Sequence, residues 1–121
     1  MAPCGMGSDT GGSVRLPAAY CGLVGLKVTA GRLPLQGVMP LSQTLDTPGP
    51  IAQTVLDCLI MFDVLDGREG WQITRDMEKD DGTYAMLNKG VSGLRLGSLN
   101  ESERQQCSDD VLASYDMALD R

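Results

Sequence analysis

The sequence contains no histidine, and this absence restricts the chemistry that its residues can perform. A Ser-His-Asp triad is impossible within the chain, so a serine nucleophile here would need a different base. There are four cysteines, none of them in a Cys-x-x-Cys pair. Because zinc sites are usually built from closely spaced cysteines and histidines, a zinc site is not expected.

Long apolar runs are also missing. The longest stretches without charge, between Arg15 and Lys27 and from 33 to 45, are too short to cross a bilayer and are interrupted by glycine or proline. The N-terminal residues show no basic or apolar region typical of a targeting peptide. We therefore predict a soluble, cytoplasmic chain with free thiols, in which Cys21 and Cys58 are buried among apolar neighbours.

Positive charge is scarce, with ten lysines and arginines against sixteen aspartates and glutamates, which gives a net charge of −6. The excess lies after residue 50, where seven basic residues stand against fourteen acidic ones. Such a segment repels phosphates, and no basic cluster with interleaved aromatics compensates for it. The charge therefore argues against direct binding of nucleic acid and favours a solvated acidic surface, and the short apolar stretches argue against a membrane protein.

The most informative stretch is Gly-Ser-Asp-Thr-Gly-Gly-Ser at 7–13. Two adjacent glycines before Ser13, and a proline shortly after it, indicate a tight bend that leads into a short helix. The first amides of a helix have no partner within it, so an oxygen that acquires negative charge beside Ser13 could be bound there. The pattern thus predicts a serine nucleophile, Ser13, next to an oxyanion hole made of the backbone amides of Thr10, Gly11, Gly12 and Ser13.

Other interpretations of this stretch are an ordinary glycine- and serine-rich turn, or a nucleotide-binding loop. A Rossmann fingerprint that starts at Gly5 would need glycine at Thr10, and a phosphate-binding loop would need lysine directly after Gly12. Neither nucleotide motif is present, whereas the ordinary turn stays open.

The polar neighbours of Ser13 have expected roles of their own. Ser8 is a second candidate nucleophile by residue type, but its position before the bend fits no oxyanion geometry. Asp9 and Arg15 are expected to order the loop through hydrogen bonds rather than to transfer protons.

Together with the segments that follow it, this block resembles the amidase signature family. The matching residues are 7–13, Arg15, Pro17–Ala19, Cys21-Gly22, Gly25–Lys27, Gly31-Arg32 and Leu45–Pro50. By this resemblance Ser13 is the acyl-forming nucleophile of an enzyme that hydrolyses carboxamide C–N bonds, and residues 10–13 form its oxyanion hole. The resemblance implies a small-molecule amide substrate, no metal or organic cofactor, and either a homo-oligomer or amidotransferase partner subunits.

The chain departs from the family in one major respect, which is the base. In the family a lysine acts through a second serine, and both lie upstream of the nucleophile block. Only twelve residues precede Ser13 and none is lysine, whereas Lys27 matches a framework lysine. Val28 and Gln53 replace a usual proline and a common arginine. We therefore expect an internal amidase fragment that is inactive alone. There are two alternatives: a fragment resembling the A subunit of a tRNA-dependent amidotransferase, or a non-catalytic truncated remnant.

The fold implied by the resemblance is α/β, a partial amidase-signature fold with a mixed sheet flanked by helices and incomplete at both ends. We expect a single fragment, residues 1–121, that divides into a nucleophile loop with a glycine- and proline-rich segment (1–53), a helix (54–67), an acidic connector (68–92), and a strand with a truncated helix (93–121).

Local signals support these boundaries. Thr54 and Gly67 are typical cap residues of a helix, and Val55, Cys58, Leu59, Phe62 and Leu65 recur at helical spacing. The connector, with its Asp80-Asp81 pair, is expected to be a solvated loop. The alternation over 94–97 predicts a half-buried strand, and Ser108 is expected to begin the last helix.

Overall fold

The computed structural model of the chain describes residues 2–79 and 82–120. These residues belong to two compact units, which divide between Gly90 and Val91. The first unit contains a small sheet and four helices, and the second contains two helices, in the residues described. The predicted α/β class is confirmed.

A three-stranded antiparallel sheet organises the first unit. Its strands are β1 (Cys4–Ser8), β2 (Val24–Gly25) and β3 (Pro48–Ala52), arranged in the order β1-β3-β2. Ser8 pairs with Pro48 at the end of β1, and the chain passes directly from there into the 9–13 turn. The predicted nucleophile turn therefore starts at the end of an edge strand.

Gly49 occupies the most crowded glycine position of the sheet. A Cβ atom there would lie 2.1 Å from the carbonyl oxygen of Leu26, and backbone cannot move aside as a flexible side chain would. We therefore expect Gly49→Ala to lower the free energy of unfolding of the chain by about 3 kcal/mol, measured by urea unfolding and circular dichroism.

The matched control for that substitution is Gly5→Ala in β1, where a Cβ would meet nothing within 4 Å. Its expected cost is below about 0.5 kcal/mol, as for other substitutions into open space. Equal losses for Gly49→Ala and Gly5→Ala would show that crowding at Gly49 is not what limits the sheet.

The helix predicted over 54–67 is present as α2 (Val55–Leu65), after the short helix α1 (Arg15–Tyr20). The Thr54 hydroxyl oxygen accepts a hydrogen bond of 3.1 Å from the Asp57 amide, and Gly67 has a φ of +89°, as a C-terminal glycine should. Cys58 and Leu59 are buried, whereas Val55 at the first turn is exposed, so the inward face is narrower than predicted.

The acidic connector differs from the expected solvated loop, because it contains α3 (Gly70–Glu78) and α4 (Gly82–Met86). Ile73 and Tyr84 are buried in one cluster with Leu59 of α2. The composition is misleading here because some of its charges are paired internally. The Asp80-Asp81 pair lies outside the described residues.

Asp63 is the buried acceptor that joins α2 to these two helices. Its Oδ2 accepts hydrogen bonds from the Tyr84 hydroxyl at 2.9 Å and from Arg68 at 2.7 Å, and Arg68 also pairs with Asp76. Burial and the neighbouring Asp63 carboxylate raise the pKa of Tyr84 to about 12. The phenol therefore stays protonated and serves as a donor.

The second unit contains α5 (Glu101–Arg104) and α6 (Asp109–Leu119). The predicted helix start at Ser108 is confirmed, and the Tyr115 hydroxyl oxygen accepts a 2.7 Å hydrogen bond from the Leu99 amide. The strand predicted over 94–97 is wrong: these residues are irregular and exposed. An alternating pattern forms a strand only beside a partner, and none pairs with it in the part of the chain described.

The free thiols are distributed differently from the prediction. Cys58 is buried and its thiol donates to the carbonyl oxygen of Val24 at 3.3 Å, and burial raises its pKa. Cys21, which we expected to be buried, is exposed because it directly follows α1 at the surface. Among residues 2–79 and 82–120, no helix has the length and apolar character needed to cross a membrane.

Candidate active site

The turn between β1 and α1 presents Ser13 at the surface. Ser13 is exposed and lies two residues before the first residue of α1. Gly12 before it is buried and has a φ of +132°, which favours glycine, and a Cβ there would lie 2.9 Å from Leu16 Cδ1. The double glycine therefore provides the backbone bend that the sequence predicted.

The carboxylate of Asp9 holds this turn from inside. Asp9 is 0% exposed. Its oxygens accept hydrogen bonds from the amides of Gly12 (2.8 Å), Val14 (3.2 Å) and Arg15 (3.3 Å). The guanidinium of Arg15 adds two more, from Nε at 3.0 Å and Nη2 at 3.1 Å. Asp9 and Arg15 thus order the loop through hydrogen bonds, as expected.

These donors also decide the protonation state of Asp9. The Arg15 guanidinium is the largest influence, and with the Val14, Arg15 and Gly12 amides it holds the pKa of Asp9 well below its ordinary value of 3.8. A carboxylate that is ionised at neutral pH and surrounded by donors is a poor proton acceptor. Asp9 is therefore a structural anion in the turn and not a base for Ser13.

A second carboxylate, that of Asp46, lies outside the 9–13 turn in sequence and binds it through a side chain. Its Oδ1 accepts a hydrogen bond from the Thr10 hydroxyl. Its Oδ2 accepts hydrogen bonds from the amides of Leu41 at 2.8 Å and Ser42 at 2.9 Å. Sequence reasoning missed this role, because a hydrogen bond across 36 positions leaves no periodic signal, although Asp46 lies in the matched segment 45–50.

Thr47 extends the outer support. Its carbonyl oxygen accepts the amide of Asp9 at 2.9 Å, and its hydroxyl oxygen accepts the Lys27 ammonium at 3.1 Å. The predicted framework lysine therefore contacts the residue that supports the turn. No hydrogen bond joins it to Ser13 in the described structure.

The four amides expected to form the oxyanion hole are not equivalent. The amide of Gly12 donates to Asp9 and is not free in this structure. Among the residues that the structure describes, none accepts a hydrogen bond from the amides of Thr10, Gly11 or Ser13. Of the four amides in the predicted oxyanion hole, those of Thr10, Gly11 and Ser13 therefore have no acceptor within the described residues, whereas the amide of Gly12 is bound to Asp9.

Burial distinguishes the two serines of the motif. The Ser8 hydroxyl is buried and has no hydrogen-bond partner in the described part of the chain. Ser13 is exposed, and within the same residues no side chain forms a hydrogen bond with its hydroxyl. Only Ser13 is accessible to a substrate, and no described group activates it.

Both carboxylates make the stability of the turn sensitive to acid. The Thr10 hydroxyl, followed by the Ser42 and Leu41 amides, lowers the pKa of Asp46 below its ordinary value of 3.8, and the pKa of Asp9 is lowered too. A lowered pKa in the folded state stabilises the fold above the unfolded pKa, and this contribution is lost as the pH falls towards the folded value. We expect the urea midpoint of the chain to be constant from about pH 8 to pH 5 and to fall below about pH 4.

A comparison with Asp9→Asn tests the origin of that acid loss. This variant should start from a lower midpoint and show a smaller decrease between about pH 5 and pH 3, because one of the two carboxylates is gone. An equal decrease in both proteins would assign the acid sensitivity to other groups.

Comparisons with known proteins identify the family to which this chain is similar. A family model described as Amidase matches residues 1–121. The glutamyl-tRNA(Gln) amidotransferase A subunit 2 of Clostridium acetobutylicum is 37% identical over 120 residues, which cover 93% of this chain and 25% of that protein. The glutamyl-tRNA(Gln) amidotransferase A subunit of Burkholderia ambifaria is 36% identical over 98% of this chain and 26% of its own length. The chain thus spans about a quarter of these curated relatives.

Solved structures share the fold of this chain. One, reported as an unexpected vestigial protein complex that reveals the evolutionary origins of an s-triazine catabolic enzyme, matches 97% of this chain and 26% of its own chain, with a TM-score of 0.79 and 33% identity. An amidase family protein from Bacillus anthracis matches 67% of this chain and 16% of its own, with a TM-score of 0.53 and 38% identity. The α/β arrangement described above is therefore found within larger chains.

Proposed function

The chain belongs to the amidase family, as its motif indicated, and from this we propose that it supplies Ser13 and its oxyanion hole to an enzyme that hydrolyses carboxamide C–N bonds. One observation carries the proposal. Ser13 is exposed on a turn where the amides of Thr10, Gly11 and Ser13 have no acceptor among the described residues. This arrangement suits a nucleophile beside a site for developing negative charge.

In the proposed reaction the Ser13 oxygen attacks the carbonyl carbon of the amide, and the carbonyl oxygen becomes an oxyanion that the three amides bind. Collapse of this intermediate breaks the C–N bond, releases ammonia or an amine that has taken up a proton, and leaves an acyl-serine ester. Water then attacks the ester and releases the carboxylic acid. The serine proton goes to a base that the described residues do not provide, which in the family is the lysine and second serine.

The isolated chain is expected to be inactive for the same reason. A serine hydroxyl without a base is a weak nucleophile, and the binding energy of the oxyanion site alone does not replace proton transfer.

We also propose a cytoplasmic location for the chain. The proposal is supported by its free thiols, which are Cys4, Cys21, Cys58 and Cys107.

The test uses a chimera in which residues 2–120 replace the matching segment of the Clostridium acetobutylicum relative, expressed with the other subunits of that host enzyme. The assay contains a primary carboxamide and added hydroxylamine. An acyl-serine intermediate reacts with hydroxylamine as well as with water, so the reaction should yield a hydroxamate together with ammonia. The same host enzyme with its own segment is the positive control, and the isolated 121-residue chain is the negative control.

Two outcomes decide the matter. Ammonia and hydroxamate from the chimera, with the acyl group on the peptide that contains Ser13, would support the proposal. A chimera that is folded and assembled but forms neither product would contradict it and favour a non-catalytic remnant.

A second candidate function is that of one component of an amidotransferase, which the names of the two curated relatives favour. In that case the ammonia released by C–N cleavage at Ser13 passes to a second substrate instead of escaping into the solvent, and water still hydrolyses the acyl-serine. The two functions differ in where the nitrogen goes. Free ammonia formed without the other subunits supports an amidase, whereas an amidated second substrate formed only in the complex supports an amidotransferase.

A homo-oligomer is the other assembly that we propose to test. The mass of the purified chain in solution would reveal it.

A further inference from the structure

The carboxylate of Asp46 joins two segments that are far apart in the sequence. One oxygen accepts a hydrogen bond from the Thr10 side chain, and the other accepts hydrogen bonds from two backbone amides of the 41–46 loop. Asp46 is 3% exposed, so most of its surface is shielded from water. A buried acceptor with each oxygen committed to a different segment fixes the distance between them.

Thr10 is held in place through its own side chain and through the backbone of the residue before it. Its hydroxyl donates to Asp46, while the amide of the preceding residue, Asp9, donates to the carbonyl oxygen of Thr47 at 2.9 Å. Two consecutive residues of the turn are thus attached to two consecutive residues of the 46–47 segment. The Thr10 amide itself has no acceptor among the described residues, so its direction is fixed by its neighbours.

Building on the proposed function, we propose that Asp46 is a positioning residue that holds the Thr10 amide in the direction that the oxyanion requires. Asp46 acts through Thr10 and does not contact the substrate. Asp9 fixes the other half of the turn by binding the amides of Gly12 and Val14, so the two carboxylates have separate tasks.

The size of the effect follows from what is lost. Complete removal of one oxyanion donor lowers kcat by about 10²- to 10³-fold in well-studied enzymes. Loss of the Asp46 contact would loosen the Thr10 amide without deleting it, so we expect a decrease of about 10-fold in kcat. KM should change by less than about 2-fold, since a donor used in the transition state contributes little to ground-state binding.

The experiment uses the chimera, four single variants of it and one double variant. Thr10→Val removes the hydroxyl but keeps the shape, Thr10→Ser keeps the hydroxyl, and Asp46→Asn keeps the size of the acceptor. Thr44→Val is the matched control, because Thr44 is exposed on the same loop and its hydroxyl forms a hydrogen bond only with Ser42 Oγ in the described residues, at 3.4 Å. The readouts are kcat and KM for ammonia release, and the rate at which an alkyl fluorophosphonate labels Ser13.

We expect Thr10→Val and Asp46→Asn each to lower kcat and the labelling rate by about 10-fold. Thr10→Ser, which keeps the hydroxyl, should recover most of the loss seen in Thr10→Val, and Thr44→Val should stay within about 2-fold of the parent. The Thr10→Val/Asp46→Asn double variant should be no more than about 2-fold slower than the slower single variant, because both changes act on the same contact. A urea midpoint for each variant separates loss of fold from loss of position.

Parent-like kcat and labelling in Thr10→Val would overturn the positioning role, even if the urea midpoint falls. An additive double variant would overturn it too. The proposed function fails in a different way: a parent chimera that is labelled at Ser13 but releases no ammonia contradicts it, and the labelling rates still test Asp46. A parent that is not labelled at Ser13 contradicts both proposals.

Discussion

Ser13→Ala in the chimera is expected to lower kcat for amide hydrolysis by about 10⁶-fold, the loss seen when a serine nucleophile is removed from a hydrolase. The loss is large because the hydroxyl of Ser8, the other serine in the motif, is buried and cannot take over. The methyl group of alanine leaves the turn intact, since no hydrogen bond in the described structure depends on the Ser13 hydroxyl. Initial rates of ammonia release and the yield of labelled protein measure the effect.

The companion variant is Ser8→Ala, which changes the rival hydroxyl. We expect it to keep the acyl label on the peptide that contains Ser13, because its hydroxyl has no partner to lose among the described residues. Labelling that persists in Ser13→Ala and disappears in Ser8→Ala would exchange the roles of the two serines and refute the assignment of the nucleophile.

Asp9→Asn is expected to have the second largest effect, because this carboxylate supports the turn on which Ser13 lies. An asparagine side chain has one acceptor oxygen in place of two, and its NH₂ group would face N–H donors of Val14 or Arg15. Leaving buried donors without an acceptor should lower the free energy of unfolding by about 3 kcal/mol. The loss of turn geometry should lower kcat/KM by about 10³-fold, comparable to the loss of an oxyanion donor.

The matched control for this variant is Asp109→Asn, which makes the same chemical change at an exposed position in the first turn of α6. We expect it to cost less than about 0.5 kcal/mol and to leave kcat/KM unchanged. A parent-like kcat/KM in Asp9→Asn would show that the turn keeps its shape through the glycines and Asp46 alone.

The nucleophile turn could be predicted from the sequence because its signal is local. Two glycines before a serine specify a bend within a few residues, and the Thr54 and Gly67 caps specify α2 in the same way. The commitment of the Gly12 amide to Asp9 is equally short in range, but it depends on which way a buried carboxylate turns. Residue type alone does not contain that information.

The remaining differences come from contacts that are distant in the sequence. Tyr84 is buried because its hydroxyl reaches Asp63 across 21 positions, and an acidic composition could not reveal this pairing. The 94–97 segment alternates like a strand but has no partner strand in the described structure. Asp46 was overlooked as a site residue for the same reason, since its task depends on Thr10 lying beside it.

The two buried carboxylates have a consequence for how the rate of the whole enzyme would vary with acidity. Donors hold Asp9 and Asp46 in their ionised form at neutral pH, and the chain contains no imidazole. The turn that carries the proposed nucleophile, Ser13, is therefore supported by two carboxylates that keep one charge state across the physiological range. An inflection in a plot of log kcat against pH near neutrality would accordingly report the missing proton acceptor, and would be a direct means of finding it.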